Sequence, residues 1–149
     1  MNKRDLAILS LIGLCALYMG VQLASSLKVE NRDLYIRELS HVEEFENKLM
    51  TQKNVGTDIY LMARQWEWSS ELTLQAGQTY RLHLATADIQ HAFHLSKEAT
   101  GQSIDILLQP GKEYIVALRN LREGVYAIGC TQYCGIEHNK MRGKLIVRK

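Results

Sequence analysis

Charged and apolar positions divide the chain into three stretches of different periodicity. From Leu6 to Leu27 no side chain is charged. At 1.5 Å per residue a helix over this stretch is about 33 Å long, enough for a bilayer core. Lys3 and Arg4 precede it, which favours a cytoplasmic N-terminus and an exported C-terminal part. A cleaved signal peptide is the rival reading, with Ala24–Ser25–Ser26 as its cleavage site. The apolar run is longer than a usual signal core, so residues 1–27 read as a retained transmembrane anchor. Within it Cys15 reads as an inert apolar filler. Gly13, Ala16, Gly20 and Ala24 permit close helix packing, although a lone lipid-facing anchor tolerates them equally well.

Residues 28–54 are rich in Glu, Arg, Lys and Asn. Leu34, Ile36, Leu39, Val42, Phe45 and Leu49 recur there at mostly helical spacing, which predicts an exposed amphipathic linker helix. From Val55 the pattern becomes alternation: Ile59, Leu61, Ala63; Leu72, Leu74; Tyr80, Leu82, Leu84; Ile104, Ile106, Leu108. Ile115 with Ala117, Val125 to Ile128 and Lys144 to Val147 add further strands. Ala76–Gly77, Thr100–Gly101, Pro110–Gly111 and Glu123–Gly124 separate them as turns. Short strands punctuated in this way predict an all-β sandwich of Greek-key type over residues 55–149. A domain of about 95 residues can bury a core of its own.

Composition changes little in this picture. The net charge of +2, with acidic and basic residues mixed along the chain, gives no argument for nucleic acid. There is no Cys-x-x-Cys-His haem-attachment motif and no histidine in Leu6–Leu27 to ligate haem.

The chemistry is concentrated in Cys130–Thr131–Gln132–Tyr133–Cys134–Gly135–Ile136–Glu137–His138–Asn139–Lys140–Met141. The Cys-x3-Cys pair alone is open to several readings: a disulfide, a zinc half-site, a redox dithiol or a copper site. Zinc would accept Cys130, Cys134 and His138 but gains nothing from Met141. A disulfide needs neither His138 nor Met141. Copper, a soft metal, takes thiolate, imidazole and thioether alike, so the full spacing points to copper. Two thiolates can each bridge two copper ions and share one unpaired electron between them.

With that loop the chain resembles subunit II of the haem–copper terminal oxidases, the cytochrome c oxidases. The family's further histidine lies on an upstream strand, and Asp88–Ile89–Gln90–His91–Ala92–Phe93 matches its motif. The resemblance covers Val55 to Lys149. It implies a cupredoxin fold and a binuclear copper A centre held by His91, Cys130, Cys134, His138, Met141 and the backbone carbonyl of Gln132. It also implies electron transfer from a c-type cytochrome, on the outer face of the membrane, to haem in subunit I, where oxygen is reduced and protons are pumped. Gln65–Trp66–Glu67–Trp68 resembles the family's aromatic stretch beside the copper. There Trp66 would be the point where electrons enter, while packing is the ordinary use of both tryptophans. His91 and His94 point to opposite sides of a strand, and the family pattern selects His91. His94 and His83 are then expected at the surface or an interface, and His41 at the surface.

The chain departs from the commoner A-family form. It has room for one transmembrane helix rather than two, and its Gln132–Tyr133–Cys134–Gly135 wording is similar to the B family. Gln132 stands where the A family carries a magnesium-binding Glu and offers a hard cation no charge, so no magnesium site is expected from this subunit. No acidic docking face is evident, since Arg64, Arg119 and Arg122 interleave with Glu67, Glu71 and Glu123. Some B-family members place an acid at the mouth of a proton path. Asp5 is the candidate, and its simpler reading is a charge marking the membrane boundary. Two rivals remain: a thioredoxin-like copper chaperone, which needs a helix straight after Cys134, and an exported electron carrier cleaved from its signal. Nitrous oxide reductase carries a similar loop but needs a much longer chain.

Overall fold

The structure, a computed structural model, describes residues 2–30, 34–52 and 56–149, and the side chains of all of these except 26–30. The expected boundary at 54/55 lies outside the described residues. The chain separates into two compact units, Met1–Asp33 and Leu34–Lys149.

The first unit is helix α1 (Lys3–Glu30). Among the described residues, Lys3–Ser25 is the one helical segment long and apolar enough to cross a membrane. Its large apolar side chains, from Leu6 to Leu23, are exposed within the unit, which is what a lipid-facing surface requires. Asp5 lies in the first turn and accepts the Asn2 backbone N–H at 3.2 Å, so the acid caps the helix start.

The second unit contains β1 (Leu34–Glu38), α2 (Val42–Thr51), β2 (Asp58–Arg64), β3 (Glu67–Trp68), β4 (Leu72–Gln75) and β5 (Tyr80–Thr86). It continues with β6 (His91–Leu95), α3 (Lys97–Thr100), β7 (Ile104–Leu108), β8 (Lys112–Leu118), β9 (Gly124–Cys130) and β10 (Arg142–Arg148). One sheet has the order β1-β8-β5-β2-β3 and the other β4-β10-β9-β6-β7. Most neighbours are antiparallel, but β2 runs parallel to β5 and β4 parallel to β10. These parallel pairs arise because the chain repeatedly changes sheet between neighbours, as a sandwich demands. The inward residues of both sheets form one core that includes Leu61, Leu82, Leu84, Phe93, Leu95 and Ile128. In β8 the core face is Tyr114, Val116 and Leu118, so the expected Ile115 and Ala117 sit on the opposite face. The glycines of the four expected turns, Gly77, Gly101, Gly111 and Gly124, all have positive φ, a conformation glycine adopts without steric cost.

The stretch expected as one linker helix has a different structure. Leu34 to Glu38 pair with β8 as a strand, in the register Leu34↔Val116 to Glu38↔Lys112. Leu34 and Ile36 belong to a period of two, and only Val42, Phe45 and Leu49 belong to the helix. Helix α2 buries Phe45 against Met62 and Ala85, with Phe45 edge-on to Tyr60 at 5.3 Å between ring centroids. With α2 on their outer side, β2 and β5 are covered on both faces, which buries Met62 and Ala85 out of the alternating pattern.

His83 is the second correction. Expected at the surface, it is buried, because β5 is covered on that face and Tyr60 stacks on the ring at 4.4 Å between centroids. Its Nδ1 lies 2.6 Å from Glu113 Oε1 and its Nε2 2.9 Å from Asp58 Oδ1. Arg37 of β1 pairs with Glu113 at 2.6 Å, and Arg81 holds Asp58 through two hydrogen bonds of 2.7 and 2.6 Å. Burial opposes ionisation of Glu113, but the hydrogen bonds from Arg37 and His83 outweigh it and hold the carboxyl below its ordinary value. The Arg81 hydrogen bonds lower Asp58 against a smaller opposing effect of burial, with His83 adding to the shift.

Carboxyls lowered on folding stabilise the native state fully above their unfolded values, about pH 4. That stabilisation drains away as pH falls through the lower folded values. Glu113→Gln should therefore cost about 2 kcal/mol at neutral pH and flatten the loss of stability in acid. Denaturant unfolding of the full chain in detergent across pH checks this; wild-type stability with an unchanged acid limb would refute it.

Candidate metal centre

Two segments from different parts of the second sheet converge at one end of the sandwich. His91 opens β6 and is fully buried. The Asp88 carboxylate accepts its Nε2–H at 2.9 Å, which leaves the Nδ1 lone pair facing Cys130 Sγ at 3.9 Å. Asp88 is itself fixed by the backbone N–H groups of Gln65 and Ile89, each at 2.7 Å. Burial works against its ionisation, yet these N–H bonds and His91 prevail, so its carboxyl lies below the ordinary value.

Cys130 ends β9, opposite Phe93 in the antiparallel register. The chain then leaves the sheet, makes a short 3-10 turn at His138–Lys140, and returns as β10. Cys134 and Met141 tuck back into the main core. Cys130 Sγ lies 3.8 Å from Cys134 Sγ and donates to the Gln132 carbonyl at 3.2 Å. Cys134 Sγ lies 3.5 Å from His138 Nδ1 and 3.8 Å from Met141 Sδ. All six sequence-predicted ligands thus meet around two sulfurs.

A disulfide needs sulfurs about 2.05 Å apart, so the pair is two free thiols. Burial, with Cys130 as neighbour, pushes the Cys134 thiol up to about 11. A thiol kept protonated in this way is a poor nucleophile but a ready ligand for a soft cation, which displaces the proton. His91, Cys130 and Cys134 have ligand atoms all within 4.8 Å of one another, and His138 lies outside that group. One tetrahedral ion could take the three but not both imidazoles. Zinc would accept the thiols and imidazoles equally well, but the thioether favours copper. A 3-10 turn and then strand β10 follow Cys134, not the helix that a thioredoxin-like site needs.

Trp66, in the β2–β3 connection, is half-buried against the core and donates its Nε1–H to the Cys134 carbonyl at 2.9 Å. Trp68 differs: it is buried edge-on to Phe93 as a packing residue. His94 is half-exposed and pairs with Asp105 at 3.1 Å. An open cleft of about 230 Å³ beside the site is lined by His94, Cys130, Thr131, His138, Met141 and Arg142. Tyr133 and Ile136 are exposed on the same loop, at 71% and 91%, beside a donor set in which His91, Cys134 and Met141 are buried and Cys130, Gln132 and His138 half-buried. Sequence reasoning gave no role to Asp88 or Gln65. The three-residue spacing of Asp88 and His91 was the available signal for the first; nothing local signals the second.

No protein-family model matches the chain. It is 27% identical over 92 residues to cytochrome c oxidase subunit 2 of Thermus thermophilus, covering 61% of this chain and 65% of that one. A second cytochrome c oxidase subunit 2 of the same species matches at the same identity, over 52% of its length. The chain thus spans between half and two thirds of these curated relatives. Among solved structures, a chain of a heme–copper terminal oxidase dimer superposes with TM-score 0.63 at 23% identity, over 98% of both chains. The periplasmic domain of cytochrome oxidase subunit II, CoxB, of Bradyrhizobium japonicum gives TM-score 0.53 at 21% identity, over 62% of this chain and 83% of that one. These likenesses establish the fold as an all-β sandwich of cupredoxin type behind one N-terminal helix. In sequence and in fold the chain is similar to subunit II of cytochrome c oxidase.

Because Asp88 fixes the His91 tautomer, Asp88→Ala should weaken binding of copper by about 10- to 100-fold. Competitive titration against a copper chelator checks it; unchanged affinity would remove Asp88 from the site.

Proposed function

We propose that this chain is the copper-bearing subunit II of a membrane terminal oxidase, the subunit through which electrons reach the enzyme. The observation that carries the reading is the convergence of two thiols, two imidazoles, a thioether and a carbonyl around sulfurs 3.8 Å apart. His91, Cys130, Cys134, His138, Met141 and the Gln132 carbonyl would hold a binuclear copper A centre. That centre, when bound, supplies a one-electron carrier whose geometry changes little with its charge.

The chain's own residues do the rest. The core behind Cys134 and Met141 keeps the ligands from rearranging. Burial of His91 and Cys134 excludes bulk water, while the exposed Tyr133 and Ile136 leave the loop accessible to another protein. Trp66 would be the receiving group for an electron from a c-type cytochrome, since its indole is hydrogen-bonded to the backbone of Cys134. His138, late in the loop and bordering the open cleft, would face subunit I and its haem, where oxygen reduction and proton pumping would occur. Helix α1 would anchor the subunit with its N-terminus in the cytoplasm and its copper domain on the outer, periplasmic face.

Cys130→Ser and Cys134→Ser should each abolish the two-copper centre, because a hydroxyl does not bridge soft ions as a thiolate does. Metal content and visible spectra of the full chain check this, and a normal centre in either variant would sink the bridged assignment. Met141→Leu should keep copper bound but shift its reduction potential, since a thioether is a weak, tuning ligand. In the whole oxidase, Trp66→Ala should slow reduction by cytochrome c and leave the copper-to-haem step near normal. Time-resolved reduction separates the steps; a normal first step would return Trp66 to a packing role.

A further inference from the structure

The candidate ligands come from two segments, joined where β6 pairs with β9 and Phe93 stands opposite Cys130. His91 belongs to the start of β6, and the other ligands to the β9–β10 connection and its ends. At the sulfur itself, His91 Nδ1 lies 3.9 Å and the Ala92 backbone nitrogen 3.5 Å from Cys130 Sγ. Neither is a strong hydrogen bond. One residue outside both segments is bonded to both.

Gln65 donates its backbone N–H to Asp88 Oδ2 at 2.7 Å, and the other oxygen of that carboxylate holds His91. Its side-chain Nε2–H donates to the Cys134 carbonyl at 2.8 Å. Trp66 Nε1–H reaches the same carbonyl at 2.9 Å, so both lone pairs of that oxygen are used. The approach needs a residue without Cβ next to Cys134. Gly135 has φ +117°, and a Cβ there would lie 3.0 Å from Trp66 Nε1 and 3.1 Å from Gln65 Nε2. Gln65 is exposed, so solubility alone would admit any polar residue. The two bonds demand more: a neutral donor long enough to reach a carbonyl in the facing loop. Asn is too short, and Glu offers only acceptors.

We propose that Gln65 is a positioning residue, a strut that sets Cys134 relative to His91 before any metal arrives. The claim rests on the copper reading only for what the strut does to a loaded centre. Its backbone bond orients the histidine half through Asp88, and its side chain orients the thiol half through Cys134. Side-chain substitutions therefore release the thiol half alone.

The test uses the full chain in detergent, free of metal, with Gln65→Ala and Gln65→Glu. Iodoacetamide alkylation is followed at each cysteine separately by mass spectrometry, alongside thermal unfolding. Cys134 is buried and reacts only when the loop opens. Both variants should speed its alkylation about fivefold, as expected for one lost hydrogen bond. Cys130 should change much less, and the unfolding midpoint should stay within about 2 °C. After copper loading, both variants should show a shifted reduction potential. An unchanged Cys134 rate would overturn the strut. So would equal acceleration of both thiols with a fallen midpoint, which marks general loosening, or a loaded potential identical to wild type. Faster Cys134 alkylation in a chain that holds no copper at all would support the strut while removing the copper reading.

Discussion

Two sulfurs held 3.8 Å apart with no bond between them are the constraint on which this molecule turns. Free thiols at that separation tend toward a disulfide in an oxidising compartment, and toward separation when both lose their protons. Here the fold resists both outcomes. Cys130 is fixed by the β9 ladder and Cys134 by the core beneath it, and burial raises the Cys134 thiol to about 11. A soft cation relieves both the desolvation and the repulsion of the paired thiolates, so the unloaded arrangement already favours the metal.

The sandwich serves this constraint by separating rigidity from access. The candidate ligands sit where β6 begins and β9 ends, backed by the same apolar core that stabilises the domain. The side open to partners carries Tyr133, Ile136 and the cleft beside His138. A second polar cluster, with His83 and Glu113 buried and Arg37, Asp58 and Arg81 at its outer edge, links β1 to the rest of its sheet. All five residues of β1 are exposed, so the Arg37–Glu113 pair adds a side-chain tie to the backbone ladder with β8.

Much of the fold was legible because half-buried strands alternate and turns carry glycine. Ile59–Leu61–Ala63 and Tyr80–Leu82–Leu84 face the core as their period implies. The pattern misled where a strand is covered on both faces. Met62, His83 and Ala85 are buried although they occupy the polar register, because α2 and Tyr60 cover them. Leu34 and Ile36 fit a strand by their own spacing and a helix by their spacing to later apolar residues, and only pairing with β8 decides between them. The convergence of the candidate ligands was legible because copper chemistry would demand rare residue types at fixed spacing. Gln65 was not, since its bond to Cys134 spans 69 residues and a lone glutamine carries no local signal.

The central claim is that Cys130 and Cys134 hold two coppers as one unit. Electron paramagnetic resonance of the full chain in detergent, loaded with copper and assayed for metal content, addresses it most directly. The account predicts two coppers per chain and a hyperfine pattern in which one unpaired electron interacts equally with both nuclei. A single copper per chain with the splitting of one nucleus would contradict it.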